Sequence, residues 1–477
     1  MKKNTLSFFY SISFLEGGMM LVTELASTRK ISVFFGSSLY VWLIVLCITM
    51  IGLALGYYWA NHLLNKKHSD EYFQKTLSYM FFVLSVSLII WKFNSDLSLF
   101  LIDANIGLIP CVLVDASALL VVPMFLYGAI TTLVIHLAQK HTHQAVYGKI
   151  LAYSTLGSVL FSVTAVMVCF PVWGIQNTMY VLSSIAIIIS LWLYAEWKYF
   201  PFVILLLIYP ERKIKANVLY QNDGAFSSVM VIHQNNVRYL MVNYIIQSYV
   251  DDVHGQKLPY VHLIDSVFQS QGIKNKDILI LGLGGGVLAN QLAQYNRSIT
   301  GVEIDPRIIE CAKKYFNLNP KVKAICEDAQ WFIRKNKKPY DIIVLDLFNG
   351  EEPPAYMLTQ ENFFLLKKML KNDSGLIIVN WHGYYSGKTG KGTRILVNTM
   401  EQSGLHVCSL STGRDEKSSN TVLFAAVDSS ILPKNIINME KEIGVNTSDK
   451  NILSYFNAEA NYHWRKDYLY FIRQWWR

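Results

Sequence analysis

Three acidic residues sit where an open α/β sheet would present them to a ligand. Glu303 ends one β-type run, Asp328 follows a second and Asp346 follows a third. A glycine loop, Gly282-Leu-Gly284-Gly285-Gly286, follows the run before them. Gly282, Gly284 and Gly286 allow a sharp backbone turn and a close approach by a bound molecule. Glu303 lies 21 residues beyond Gly282, the place of an acid that accepts hydrogen bonds from ribose hydroxyls. Carboxylates at the carboxyl ends of successive strands line one crevice, which makes the chemistry that of an adenosyl ligand. Asp346 directly follows the apolar run Ile342–Leu345 and precedes a loop rich in glycine and proline, a functional position. Two roles stay open for Asp328, a ligand contact or an N-cap of a helix over Ala329–Arg334. The run Gly383-Tyr-Tyr-Ser-Gly387-Lys388-Thr389 has three spacers where a phosphate loop needs four, so that reading is excluded.

The elements that must position these residues are legible as an alternation. Apolar runs over Ile278–Leu281, Thr300–Ile304, Val322–Cys326, Asp341–Leu345 and Leu376–Asn380 read as strands. Between them, Ala289–Tyr295, Pro306–Phe316 and Asn362–Leu370 carry helical patterns, the second with proline in its first turn. Such alternation predicts a parallel sheet with helices on both faces. Upstream, residues from Ala225 to Tyr249 hold two β-rich runs around a polar turn, His233-Gln-Asn-Asn236, and predict a hairpin.

Composition divides the chain in two. Of 477 residues, 52% are hydrophobic and 16% charged, below the ordinary soluble share of about 25%. Up to Ile208 there are 11 Lys+Arg and 8 Asp+Glu; the remaining 269 residues hold 32 and 26. The first part is therefore about 9% charged and the second about 22%, a membrane segment followed by a soluble domain. Charge-poor windows predict six spans and up to eight, among them Leu6–Ala26, Leu39–Ala60, Leu77–Trp91, Ala118–Ala138 and two within Ile150–Ala195. Leu99–Val114 and Phe200–Tyr209 are short spans or embedded caps. Lysines at 2, 3, 66, 67 and 75, with Arg212, Lys213 and Lys215, favour both termini inside; Arg29 and Lys30 fall on the wrong side. Glu16 and Glu24 share one face of the first span, either on a proton or cation path or as hydrogen-bonding groups that orient the bundle. The net charge of +9 has no dense basic stripe and needs no nucleic acid. Six scattered cysteines argue against a zinc site or a disulfide framework. The aromatic and basic tail, Tyr462 through Trp475-Trp476-Arg477, is either an interfacial helix or a final helix packed on the domain.

The strings ILILGLGGG, GVEIDPRIIECAKKYF, EDAQWFI and YDIIVLDLFNGEEPPAYMLTQENFFLL together resemble the polyamine aminopropyltransferases, or spermidine synthases. LVTELASTRKISVFFGSSLYVW, GLALGY, VPMFLYGA and YSTLGSVL are similar to the bacterial branch fused to a multi-span membrane domain. The resemblance implies a multi-pass α-helical membrane domain (1–210), a β-hairpin lid and oligomerisation region (211–270), an α/β class I S-adenosylmethionine-type Rossmann-like domain (271–435) and a helical tail (436–477). It implies transfer of an aminopropyl group from decarboxylated S-adenosylmethionine to an amine acceptor, polyamines included, with release of methylthioadenosine and no metal. The expected setting is the inner membrane, with the soluble domain cytoplasmic and a homo-oligomer formed through the hairpin. Residue by residue, the ribose acid falls on Glu303 with Asp305 beside it, the adenine-edge acid on Asp328 with Ala329, and the ligand-contacting hairpin glutamine on Gln247. The first aspartate of the catalytic D-x-x-D pair falls on Asp346, and the lid aromatic on Tyr260. Three carboxylates of the family pattern are replaced, by Gly285, Asn349 and His262, and Glu351 or Glu352 is a candidate substitute for one of them. Each lost anion removes a charge-assisted contact of about 1.5–3 kcal/mol to a protonated amine. Two other readings stand beside this one: an S-adenosylmethionine-dependent methyltransferase, for which Gly285 leaves room for the extra ligand carboxylate, and a non-catalytic transporter whose soluble domain senses a nucleoside or polyamine.

Overall fold

The computed structural model describes residues 6–36, 38–66, 68–104, 106–142, 146–194, 216–224, 227–348, 350, 353–413, 415–416, 419–434, 437 and 439–473. Two compact units divide the chain, one of residues 1–213 with 223–225, the other of 214–222 with 226–477.

The first unit is helical: α1 (Leu6–Phe35), α2 (Leu39–Leu64), α3 (Asp70–Ile90), α4 (Asn94–Ala104), α5 (Leu108–Thr142), α6 (Tyr147–Thr164) and α7 (Phe170–Leu193). A 3-10 turn, Trp91–Phe93, continues α3 into α4, and a π turn, Ala165–Cys169, continues α6 into α7. By length and composition, five segments among the described residues are long and apolar enough to cross a membrane. Hydropathy predicts six to eight, and the difference comes from continuity. The 47-residue segment Tyr147–Leu193, counted once, holds two helices that meet at a kink at Gly174, φ 79°, as the two spans expected within Ile150–Ala195 require. Likewise the predicted short span at Leu77–Trp91 belongs to the 35-residue segment Asp70–Ala104. The Phe200–Tyr209 stretch lies outside the described residues.

Close helix packing depends on small residues. A Cβ on Gly157 of α6 would stand 1.9 Å from the Phe14 carbonyl oxygen of α1, so only glycine permits that approach. Glu16 is 1% exposed and accepts hydrogen bonds from Thr131 of α5 at 3.0 Å and Ser154 of α6 at 3.4 Å. Those contacts tie three helices together, as the bundle-orienting role requires, while Glu24 is half-buried. A further acid, Asp115, is fully buried and accepts from Asn94 at 3.0 Å and Ser98 at 2.9 Å.

The second unit begins with an antiparallel sheet, β1 (Asn217–Asp223), β2 (Ser228–Gln234), β3 (Val237–Val242) and β4 (Ile245–Asp251), in sequential order. It is thus four strands where two are predicted. Both inner connections are two-residue turns with positive φ at each position, Asn235 and Asn236 at 50° and 62°, Asn243 and Tyr244 at 50° and 64°. That backbone twist matches the twist of the flanking strands and fixes their register. Tyr244 carries no glycine-like signal, which is why the second turn is invisible in the sequence.

Then follow α8 (Pro259–Ser270), β5 (Asp277–Leu281), α9 (Val287–Leu292), β6 (Ser298–Glu303), α10 (Pro306–Tyr315), β7 (Val322–Cys326), α11 (Ala329–Lys335), β8 (Ile342–Leu345), α12 (Gln360–Lys368), β9 (Leu376–Trp381), α13 (Lys391–Gln402), β10 (His406–Ser411), β11 (Thr421–Ala426) and α14 (Leu453–Arg473). The sheet order is β10-β11-β9-β8-β5-β6-β7. The five strands β5 to β9 pair in parallel, but β11 inserts antiparallel between β9 and β10. The five predicted strands thus form the parallel sheet expected, and two further strands, β10 and β11, make the whole sheet mixed. Strands β5 and β8 are buried on both faces and divide the core into two apolar layers, one holding Ile278, Ile280 and Val344, the other Leu279, Leu281 and Leu345. Burial on both faces explains their continuous apolar sequence.

Candidate active site

The chain order reverses at β5, whose neighbours are β6 on one side and β8 on the other. At such a switch point the loops at the carboxyl ends of the two strands diverge and leave a crevice. Gly282 stands there with φ 90°, and a Cβ on it would meet the Asp346 carbonyl oxygen at 2.1 Å. The glycine loop and the loop after β8 can lie against each other only because this residue lacks a side chain. Gly284 and Gly286 also take positive φ, 52° and 71°.

Glu303 ends β6 and is 8% exposed. Its carboxylate accepts from the backbone N–H groups of Leu283 at 3.2 Å, Gly284 at 3.4 Å and Asp305 at 3.1 Å. Burial pushes this carboxyl up, against the lowering effect of those three donors. Asp305 is 1% exposed, and its oxygens accept from the Arg307 backbone N–H at 3.0 Å, the Arg307 guanidinium at 2.9 and 2.5 Å, and Ser227 at 3.2 Å. Arg307 also donates to the carbonyls of Asn222 and Ser227, both at 2.9 Å. Asp305 is thereby the N-cap of α10 and the anchor of a staple to the four-stranded sheet. Asp328 caps α11 by accepting from the Trp331 N–H at 2.8 Å, with its remaining surface half-buried and Ala329 buried beside it. The capping role does not consume the second oxygen.

Asp346 lies just past β8 and has both carboxylate oxygens engaged. Tyr260 at the start of α8 donates its hydroxyl at 2.7 Å, and Asn380 of β9 donates its amide at 2.8 Å. Asn420, before β11, donates in turn to the Asn380 carbonyl at 2.9 Å, which fixes the orientation of that amide. Burial raises the Asp346 carboxyl above the ordinary aspartate range, and burial beside Asp346 raises the Tyr260 phenol far above its usual value. The result is a carboxylate held in one orientation by two donors, with acceptor capacity left over. Such a group has the geometry of a proton acceptor.

These residues face a cavity lined also by Gln247, Ser248, Gly284, Phe348 and His382. Gln247 donates to the Gly350 carbonyl at 2.7 Å, joining β4 to the loop after β8. The structure thus brings Tyr260, Gln247, Gly284 and Asp346 together around one cavity. Asp305 and Asp328 are placed elsewhere, at helix N-caps. His262 is exposed on α8, since two helical residues turn it away from buried Tyr260. At Gly285 the expected room is occupied: a Cβ there would meet the Ser248 Cβ at 2.9 Å, and Ser248 accepts the Gly285 N–H at 3.0 Å. Asn349, Glu351 and Glu352 lie outside the described residues.

Sequence reasoning misses Asn380, Asn420, His382 and Tyr468. Asn380 has a signal, a polar residue closing an apolar strand, whereas Asn420 needs the antiparallel β11 to reach the site. The tail resolves toward packing: on α14, Trp464 is 5% and Arg465 1% exposed, and Tyr468 lines the cavity. Residues 474–477, with Trp475 and Trp476, lie outside the described residues.

Comparison with known proteins places this region. Residues 258–389 match the spermine/spermidine synthase domain. The chain is 38% identical over 114 residues to a polyamine aminopropyltransferase of Vibrio vulnificus (strain CMCP6), covering 22% of this chain and 38% of that protein. It is 36% identical over 110 residues to an N-terminal histidine N-methyltransferase of Emericella nidulans, covering 22% of this chain and 20% of that protein. A crystal structure of spermidine synthase from Thermotoga maritima aligns with a TM-score of 0.38 at 16% identity, over 50% of this chain and 84% of that one. The chain thus spans well under half the length of these two curated relatives. Within residues 258–389, this chain carries a spermine/spermidine synthase domain.

Proposed function

We propose that the chain is a membrane-anchored aminopropyltransferase acting on decarboxylated S-adenosylmethionine and an amine. The observation that carries this reading is Asp346, fixed by Tyr260 and Asn380 beside the glycine loop and open to the cavity. The adenosyl co-substrate suits the residues present: a positive-φ glycine cradle, Glu303 at the end of β6, and Asp328 with Ala329 at the end of β7. Gln247 and Gly284 line the cavity beside that cradle. When bound, the co-substrate supplies a sulfonium that activates the neighbouring methylene. Tyr260 orients a neutral primary amine, whose lone pair forms the new carbon–nitrogen bond. The carbon–sulfur bond breaks with its electrons passing to sulfur, methylthioadenosine leaves, and Asp346 takes the proton shed by the product ammonium. The protein's work is alignment and proton acceptance, since the leaving group needs no acid.

The helical unit belongs in the bilayer under this reading, with the α/β unit on the cytoplasmic side of the inner membrane. Support comes from the five long apolar segments and from exposed Leu39, Tyr58, Met167 and Val172 on them. A second copy of the chain is placed at the four-stranded sheet. Methyl transfer is the second reading, favoured by the methyltransferase relative, although Ser248 fills the space beside Gly285.

The test is incubation of the purified full-length protein with decarboxylated S-adenosylmethionine and primary amines. Methylthioadenosine release is expected. Release of S-adenosylhomocysteine from S-adenosylmethionine instead, with no methylthioadenosine, would install the second reading.

A further inference from the structure

The cavity beside Asp346 takes part of its wall from outside the region that matches the family. Residues 258–389 carry that match, whereas Tyr468, which lines the cavity with Tyr260 and Asp346, lies on α14. A terminal helix can build a wall only where it is held in place, and α14 is held along its length. At its start the Leu453 N–H donates to the Asn446 side chain at 3.1 Å. Asn446 is fully buried, and its amide donates to the carbonyls of Ala355 and Leu358, both at 2.9 Å. Further on, Asn457 packs on Gly392 of α13, where a Cβ would stand 2.7 Å from the Asn457 side-chain oxygen. Arg465, 1% exposed, donates to the Asn243 carbonyl at 3.4 Å, in the turn that opens β4.

Tyr468 itself is backed by a run of rings. Its centroid lies 5.8 Å from that of Trp464, which stacks on His382 at 4.8 Å and 21°. His382 stacks in turn, at 5.0 Å and 16°, on Phe348, two residues beyond Asp346. Trp464 and His382 are both buried, so moving either ring aside would break close packing. Tyr468 also stands close enough to Tyr260 to add to the rise that burial and Asp346 impose on that phenol. A firmly backed aromatic side chain is thus placed next to the tyrosine that orients the amine.

We propose that Tyr468 is a specificity-determining residue whose side chain limits the size of the primary amine accepted beside Tyr260. This deepens the aminopropyl-transfer reading and rests on it. The physical basis is exclusion: one methylene too many for an apolar wall costs about 10–200-fold in kcat/KM. Bond making and proton transfer stay with the amine, the co-substrate and Asp346.

Two homologous series, n-alkylamines and α,ω-diamines of four, six and eight carbons, test the idea with the full-length protein and decarboxylated S-adenosylmethionine. The readout within each series is the ratio of kcat/KM for eight carbons to that for four. Comparing within a series cancels any preference for one charge or two. Wild type should show a ratio below about one tenth. Tyr468→Ala opens the wall and should raise the ratio about tenfold or more, whereas Tyr468→Trp narrows it and should lower the ratio further. A merely structural role would instead lower every amine by the same factor in both variants. Calorimetric binding of decarboxylated S-adenosylmethionine should stay within about twofold of wild type, which checks the fold and separates the acceptor wall from the co-substrate site. A wild-type ratio near one, ratios that do not move in opposite directions in the two variants, or a loss confined to co-substrate binding overturns the proposal while leaving aminopropyl transfer standing. No methylthioadenosine from any amine with wild type removes the underlying reading, and this inference with it.

Discussion

Replacing Asp346 with asparagine separates the proton-accepting role from a structural one, because the side chain keeps its shape and loses only its charge. The carboxylate accepts from Tyr260 at 2.7 Å and from Asn380 at 2.8 Å. Asparagine can still accept from Asn380, and its amide can donate to the Tyr260 oxygen once that hydroxyl rotates. Two charge-assisted bonds become two neutral ones, a weakening of about 1–3 kcal/mol in total. Opposing this, the variant no longer buries a charge, and burial is the largest influence on this carboxyl. The two effects have similar size, so Asp346→Asn should melt within about 4 °C of wild type. The sign of the pH dependence follows from the raised carboxyl. A folded value above the ordinary 3.8 gives stability that is full below 3.8 and is lost as pH rises through the folded value. The variant should therefore gain on wild type as pH climbs out of the acid range. Catalysis should move the other way: losing the proton acceptor lowers kcat by about 10²–10⁴-fold, and the rising acid limb of the wild-type pH–rate profile disappears. Methylthioadenosine release under saturating amine and thermal unfolding across pH supply the two readouts. A variant that keeps a tenth of the wild-type rate, or one that melts more than 10 °C lower, refutes the reasoning.

Two further outcomes follow from the fold. Arg307→Met should cost about 3–5 kcal/mol by leaving Asp305 buried without its cation, and hydrogen exchange in β1 and β2 should accelerate selectively. Uniform exchange across the sheet would show that no staple exists. Gly282→Ala should abolish binding of the adenosyl ligand by driving a methyl against the Asp346 carbonyl, whereas Gly272→Ala, with φ 65° and open space around it, should cost only about 1–2 kcal/mol with binding intact. Equal effects at the two glycines would locate the penalty in φ alone.

Legibility in this sequence tracks how local each constraint is. Val322–Cys326 is a strand with the predicted limits, and β8 and β9 differ from prediction by one residue each, because buried parallel strands must be continuously apolar. Glu303 and Asp346 could be placed because a strand end followed by a polar residue is a local pattern. The mixed order of the sheet could not, since β11 is distinguished from a parallel strand only by its long-range pairing with β9. Tyr244 hid the second turn of the small sheet for the opposite reason: the turn demands positive φ, and the residue bearing it is not one that favours it. Asp305 shows a third limit. The acid beside Glu303 has the right type and position for a ligand contact, yet Arg307, two residues on, claims both its oxygens.

The cavity beside Asp346 was the least readable part, and its construction explains why. Its walls come from β4, α8, the loops after β8 and β9, Asn420 and α14, so residues as distant as Tyr260 and Tyr468 share one surface. No spacing rule connects them. The departures visible in the sequence, Gly285 and His262, turn out to have unlike consequences: Ser248 fills the space beside the first, and the second points to the surface. Neither position therefore decides what the cavity accepts.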